Sequence, residues 1–302
     1  MILLTGASGC TGSYLLEALL QGTDQTIIAW VRDPNRLRRS AHPRLIIWQG
    51  GLQAIEQYAS DLGQVRILVH TATAWGGPDT FKVNLRLSHR LLQALDPTIC
   101  RQIHLFSTAS LLDSEHRFLP QTHSLGTDYI RSKAAFHQTL DHSPVPPSVY
   151  YPTVILGGDA KHPATAVSAA LPGLRPWLPL LHCLRAKGRL HLIHAQDIAR
   201  ILVHRIINGL PPERLVLGNP ALEVNQVIDT LCAVNGLPPT KLQLPLDPAL
   251  TALSALLQPW MSDWDRFSLR QRHTAYQSIH AASYGLPTDL SSLEAILGAE
   301  MD

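Results

Sequence analysis

Within its first dozen residues the chain reads Met1-Ile2-Leu3-Leu4-Thr5-Gly6-Ala7-Ser8-Gly9-Cys10-Thr11-Gly12. Ile2 to Leu4 is an apolar run of strand length, ended by Thr5-Gly6. Gly6, Gly9 and Gly12 follow at spacings of three, and an apolar helical pattern, Tyr14-Leu15-Leu16 with Leu19-Leu20, begins directly after them. A strand, a glycine turn and a helix in this order aim the free N–H groups of a helix N-terminus at an anion. Gly6 permits the tight turn, Gly9 lets a phosphate approach the backbone, and Gly12 lets the helix pack close on the strand. Thr5, Gly6, Ser8, Gly9, Cys10, Thr11 and Gly12 are therefore expected to hold the pyrophosphate of a dinucleotide. Glycines at this spacing also occur in turns that bind nothing. Their place between a buried strand and an amphipathic helix favours the cofactor.

The pattern beyond this turn repeats it. Apolar, β-branched runs at 26–31, 45–48, 65–70, 102–107 and 148–155 alternate with helical patterns at 52–62, 81–95 and 128–140. Repeated strand–helix units predict an α/β fold, a Rossmann-type doubly wound parallel sheet. All its strands end on one edge, where ligands bind. Residues 156–186 break the pattern, with Pro172, Pro176 and Pro179 preventing a long helix. A strand at 189–193, a helix at 197–207 and a strand at 214–217 return to it; a helix at 224–234 and a tail containing Trp260 and Trp264 follow. The expected division is a cofactor domain of residues 1–155, completed by 187–220, and a smaller, mostly helical C-terminal substrate lobe formed by 156–186 and 221–302. Segment 156–186 is expected to close over the substrate. Its apolar 167–186 part suits a hydrophobic substrate, plain core or a homodimer surface equally.

Charge and cysteines narrow the function. A net charge of +2 gives no argument for nucleic acid. Cys10, Cys100, Cys183 and Cys232 form no CxxC pair, and the histidines are scattered, so reduced thiols and no metal site are expected. No apolar stretch is long enough for a transmembrane helix. A first strand at residue 2 leaves no length for a secretory signal ahead of it, which predicts a cytoplasmic protein.

Tyr129 and Lys133 stand four apart at the start of the helical pattern 128–140, on one face. A phenol alone is a poor acid or base at neutrality, and a cation beside it lowers its pKa. Such a tyrosine exchanges a proton with a substrate oxygen while hydride reaches or leaves the adjoining carbon. Ser107 and Thr108 follow the strand at 102–107, where a hydroxyl faces the same crevice and hydrogen-bonds a substrate oxygen.

These segments together resemble the extended, epimerase/dehydratase-like short-chain dehydrogenases/reductases over about residues 1–220. Thr5-Gly6-Ala7-Ser8-Gly9-Cys10-Thr11-Gly12 is similar to the family's TGxxGxxG, and Tyr129 with Lys133 to its YxxxK. Val69-His70-Thr71-Ala72 resembles its cofactor-lining segment after strand four, and Val83-Asn84 its helix-borne Asn segment. Pro152-Thr153-Val154-Ile155-Leu156-Gly157 resembles the segment that approaches the nicotinamide, and the stretch His194 to Ala199 its hVdDvA. The resemblance implies an NAD(P)-dependent oxidoreductase. Thr108, Tyr129 and Lys133 would be catalytic, with Tyr129 and Lys133 also contacting the cofactor. His70, Thr71, Ala72, Asn84, Ser107, Pro152, Thr153 and Val154 would contact it as well. The chain departs from the pattern at Gly50-Gly51, which offers no Asp for adenine, at Tyr151 in place of the usual Arg, and at Leu112-Asp113 in place of Tyr-Gly.

The end of the second strand reads Trp30-Val31-Arg32-Asp33-Pro34, followed by Arg36, Arg38 and Arg39. A guanidinium suits the 2′-phosphate of NADP, whereas an acid there suits the 2′-hydroxyl of NAD. Arg32 favours NADP; Asp33 argues mildly for NAD. Ala109-Ser110 after Thr108 lack the carboxylates of a sugar dehydratase, and no Asn follows Pro152 as in nucleotide-sugar enzymes. The expected activity is therefore NADPH-dependent reduction of a carbonyl in a small, rather apolar substrate. A cofactor-binding assembly factor ranks second and a nucleotide-sugar epimerase third.

Overall fold

The computed structural model describes residues 1–38, 41–245, 261–288, 290 and 292–301. Arg39 and Trp260 lie outside the described residues. Seven strands form one sheet: β1 (Ile2–Thr5), β2 (Ile27–Val31), β3 (Leu45–Gln49), β4 (Ile67–His70), β5 (Gln102–Phe106), β6 (Ser148–Pro152) and β7 (Arg214–Leu217). Their order is β7-β6-β5-β4-β1-β2-β3 and every pairing is parallel. This is the Rossmann-like order expected, with β1 at the point where the direction of winding reverses.

The alternation along β1 shows how the sheet is buried on both faces. Leu3 packs with Ile28, Leu68 and Ile103 beneath Leu87, Leu91, Ile130 and Ala134. Ile2 and Leu4 point the other way, packing with Ile27 and Val69 against helices Cys10–Gly22 and Ala195–Ile207. Strands covered on both sides need apolar residues at every position, which is why these strands read as continuous runs.

A smaller third core gathers Leu156, Leu178, Leu192, Leu231, Cys232, Leu293, Ile296 and Leu297. It draws on the short helix Leu178–His182 and on Val224–Val234 and Leu293–Met301. Segment 166–182 is broken into a helix Ala166–Ala170, a 3-10 stretch Leu171–Trp177 and the helix Leu178–His182, as its prolines require.

Three elements differ from expectation. The strand expected over 148–155 ends at Pro152, and Val154–Leu156 forms a separate two-stranded pair with Leu192–His194. Between them Thr153 gives both its N–H, at 2.9 Å, and its hydroxyl, at 3.0 Å, to the Leu217 carbonyl. The strand expected over 189–193 is split at His191 for the matching reason, since His191 makes its bonds sideways to Asn219. The helix expected over 81–95 opens with a π-helical stretch, Lys82–Leu87, an irregularity that recurs near functional sites. Among the described residues no helix is long and apolar enough to cross a membrane, and no cluster of His, Cys, Asp and Glu could hold a metal ion.

Candidate active site

The glycine turn has the shape its spacing predicts. Gly6 sits at φ 77°, and a Cβ there would lie 2.5 Å from Thr71 Oγ1 and 2.8 Å from the Ala72 nitrogen. A Cβ on Gly12 would overlap the Gly6 carbonyl. Gly9 is different: its Cβ position is 3.4 Å from the nearest atom, and the residue is exposed. It is also the N-cap of helix Cys10–Gly22 and brings no side-chain cap to it. Two glycines are thus fixed by the fold itself, and the third opens outward at a helix N-terminus flanked by Ser8 and Thr11. That cradle fits a pyrophosphate.

Beneath the turn, Thr5 Oγ1 lies 2.7 Å from His70 Nδ1, and His70 Nε2 lies 2.9 Å from Ser88 Oγ. Ser88 donates its hydroxyl proton to the Val83 carbonyl at 2.8 Å, so its oxygen must accept from His70. The network therefore assigns the Nε2–H tautomer, with Nδ1 accepting from Thr5. Burial, with Lys133 as a second cause, pushes the His70 pKa down to about 3, so the ring is neutral. Thr71 donates its hydroxyl to the Thr5 carbonyl at 2.8 Å. His70 and Thr71 tie β4 to β1 under the cofactor cradle.

Asn84, on the π-helical stretch, uses its whole amide. Its Oδ1 accepts from the Thr73 hydroxyl at 3.0 Å and the Ala74 N–H at 2.7 Å, and its Nδ2 donates to the Ala74 carbonyl at 2.8 Å and to Ser132 Oγ at 3.0 Å. With those positions taken by protein, Asn84 acts on the cofactor crevice by fixing loop 71–74 against the helix that carries Tyr129. Asn84→Ala should lower stability by about 1–3 kcal/mol, because buried partners lose their bonds. Denaturant unfolding at unchanged m-value checks this.

Thr108 caps the turn Ala109–Leu111 just beyond β5, its side chain accepting from the Ser110 N–H at 3.3 Å. The helix Asp128–Gln138 starts under its own cap, Thr127, and places Tyr129 in its first turn. The Thr108 side chain lies close enough to the Tyr129 phenol to influence its ionisation. Burial raises the Tyr129 pKa, and Thr108 opposes the rise. Lys133 is 6% exposed, and its Nζ donates to the Phe106 carbonyl at 2.9 Å. Burial brings its pKa down to about 8. Lys133 is therefore where the spacing put it, but its ammonium is turned to β5 and not to the phenol. The lowered Tyr129 pKa expected from the sequence is not found, because desolvation outweighs the one favourable neighbour.

A cleft of about 350 Å³ lies at the carboxyl ends of β5 and β6; Ala109 and Ser110, next to Thr108, line it, whereas Thr108, Tyr129 and Lys133 themselves do not. Ser110, Pro152, Thr153 and Val154 line it together with Arg189, Trp264, Phe267, Arg272 and Tyr276. Residues 166–182 contribute none of this lining; Val167, Leu174, Trp177 and Leu180 of that segment are exposed instead. Sequence reasoning missed Tyr276, whose hydroxyl donates to both the Ala109 and the Leu112 carbonyls at 3.2 Å. Its backbone N–H bonds His191 Nε2 at 3.0 Å, so residues 274–279 strap the turn after Thr108 to the rest of the site.

At the end of β2, Arg32 is exposed. Asp33 caps the turn Pro34–Arg36 by accepting from the Asn35 N–H at 3.0 Å. The acidic group that argued for NAD is thus engaged locally.

Comparison with known proteins follows the same lines. Residues 2–218 match the model of the NAD dependent epimerase/dehydratase family. No curated protein matches the chain in sequence. Among solved structures, the Bordetella bronchiseptica enzyme WbmH in complex with NAD+ is similar at a TM-score of 0.68 and 16% identity, over 99% of this chain and 96% of that one. UDP-N-acetylglucosamine 4-epimerase from Methanobrevibacter ruminantium, in complex with UDP-N-acetylmuramic acid, gives 0.68 and 14% over 99% and 96%. UDP-glucuronic acid 4-epimerase from Bacillus cereus, with UDP-glucuronic acid and NAD, gives 0.68 and 16% over 99% and 97%. At these identities the likeness is one of fold.

Proposed function

This chain belongs to the NAD dependent epimerase/dehydratase family, and from that membership we propose that it is an oxidoreductase using NADP(H) to reduce a carbonyl group. The observation that carries the reading is Tyr129 one helical turn from buried Lys133, whose ammonium bonds the end of β5 just before Thr108, in a fold whose glycine turn forms a phosphate-sized cradle. Held at that cradle by Gly9, Ser8 and Thr11, with Pro152 to Val154 beside the nicotinamide, the cofactor would supply hydride. Tyr129 is protonated at neutral pH, and in this reading its O–H donates to the carbonyl oxygen once a cofactor and substrate offset the rise that burial gives its pKa. Thr108 orients that oxygen. Lys133 holds a positive charge beneath the site and stiffens it through Phe106.

NADP is preferred over NAD because Arg32 stands exposed at the carboxyl end of β2 and Asp33 is engaged in its own turn. Arg32→Ala should cost about 1.5–3 kcal/mol in NADPH affinity, roughly 10–150-fold, and leave NADH nearly unchanged. Calorimetric titration of both cofactors against wild type and variant tests this. Equal weakening of both would assign Arg32 to loop support. A cytoplasmic location belongs to the same reading, supported by four cysteines without a disulfide.

A second reading, oxidoreduction of a nucleotide-sugar, is supported by two arginines in the cleft lining, Arg189, which also pairs with Glu223 at 2.8 Å, and Arg272, since guanidinium groups suit a diphosphate. Two of the similar structures hold UDP-sugars. A panel of aldehydes, ketones and enones with NADPH, set beside a panel of UDP-sugars followed by NMR, separates the two readings.

A further inference from the structure

The geometry points to Trp75 as a positioning residue for the reaction: its indole walls one face of the Tyr129 ring, keeping the phenol dry and turned toward Thr108. This rests on the role given to Tyr129 above. The two rings are stacked, with centroids 4.6 Å apart and planes inclined by 21°. Trp75 is otherwise 74% exposed, so this stack is not a by-product of burial in a core.

The placement is built into the chain on both sides. Ala74, immediately before Trp75, is gripped through its N–H and its carbonyl by the Asn84 amide. The same amide bonds Ser132, whose hydroxyl donates to the Tyr129 carbonyl at 2.9 Å. One hydrogen-bond network therefore sets the loop bearing Trp75 and the helix bearing Tyr129 relative to each other. Beyond Trp75 the chain leaves through Gly76 and Gly77, with Gly77 at φ 88° and open space around both. Nothing there pushes the indole onto the phenol; the anchor at Ala74 does.

Tyr129 needs such a wall. It lies in the first turn of its helix, half-buried at the edge of the main core, and the indole stack adds cover on a ring face. Its charged neighbours on that helix, Asp128 and Arg131, pair with each other at 2.5 Å and are half exposed. Lys133 is turned to Phe106. On the Trp75 side, Asp79 and Lys82 pair at 3.8 Å in solvent. No charge therefore holds the ring in place, and an aromatic stack, worth about 0.5–1.5 kcal/mol beyond its buried area, restricts it without perturbing its ionisation as an ion would.

Fluorinating the tyrosine rings provides a direct reading. The Tyr129 fluorine resonance is assigned by its loss in Tyr129→Phe, and its H₂O/D₂O solvent-isotope shift reports water at the ring. Trp75→Ala should raise that shift toward the value of exposed tyrosines and lower kcat about tenfold at unchanged cofactor Kd. Trp75→Phe should restore both. An unchanged fluorine signal in Trp75→Ala overturns the proposal, as does a changed signal with full kcat. Normal turnover by Tyr129→Phe would instead refute the proton-donor reading, and the fluorine signal would still judge Trp75. Trp75 is exposed, so neither variant endangers folding.

Discussion

Tyr129→Phe should bind NADPH as tightly as the wild type and turn over substrate about 10²–10⁴-fold more slowly, the range typical of general acid catalysis. The substitution keeps the ring and its stack on Trp75 and removes only the hydroxyl. No hydrogen bond of the phenol within the described protein is lost, so melting should hardly move. Steady-state kinetics on the carbonyl that the panel identifies, with cofactor titration alongside, checks the separation. Unaltered kcat would remove Tyr129 from the chemistry.

Lys133→Met should have effects of opposite sign on stability and function. The folded protein holds Lys133 with its pKa near 8 against an ordinary value of 10.5. The unfolded chain therefore binds more protons between those values, and wild-type stability rises with pH across that window. Below about pH 8 both states carry the charge, and the folded state bears the full desolvation cost, on the order of 3 kcal/mol. The bond to Phe106 returns about 1 kcal/mol of this. Lys133→Met should thus stabilise the cofactor-free protein by about 2 kcal/mol near neutrality, with the gain fading as pH rises from about 8 to about 10.5. Turnover should fall in the same variant. Urea melts at two pH values, paired with activity, test both signs; a Met variant less stable at neutral pH would contradict the desolvation argument.

The parts of this site legible in the sequence are those built by local chemistry. Gly6 and Gly12 are demanded within one strand–turn–helix unit, and Tyr129 with Lys133 within one turn of helix. Apolar runs marked the main-sheet strands, but they gave no way to tell that Val154–Leu156 and Leu192–His194 pair apart from that sheet. What the sequence withheld depends on distant neighbours. The partner of Lys133 is a β5 carbonyl 27 residues earlier. Asn84 was visible as a site residue, but its four protein partners come from a loop and a helix that only the fold brings together. Segment 156–186 was expected over the substrate because it is apolar and follows the sheet's carboxyl edge. Apolarity does not name the neighbour: Leu178 packs with Leu231 and Leu297, and the cleft wall comes from residues 189–191 and 264–276. Trp75 did leave a signal, an aromatic between a tight β4 loop and two glycines.

The strap made by Tyr276 gives the site an order of completion. During synthesis from the N-terminus, the last strand of the sheet is β7, ending at Leu217. From then on the glycine cradle, the Thr5–His70 link and the Asn84 network have all their parts. The turn after Thr108 does not, because the hydroxyl that holds the Ala109 and Leu112 carbonyls arrives about 60 residues later. Nascent chains released between those two points should therefore grip the dinucleotide before they can seat a substrate, so the cofactor is available as a folding template for its own enzyme.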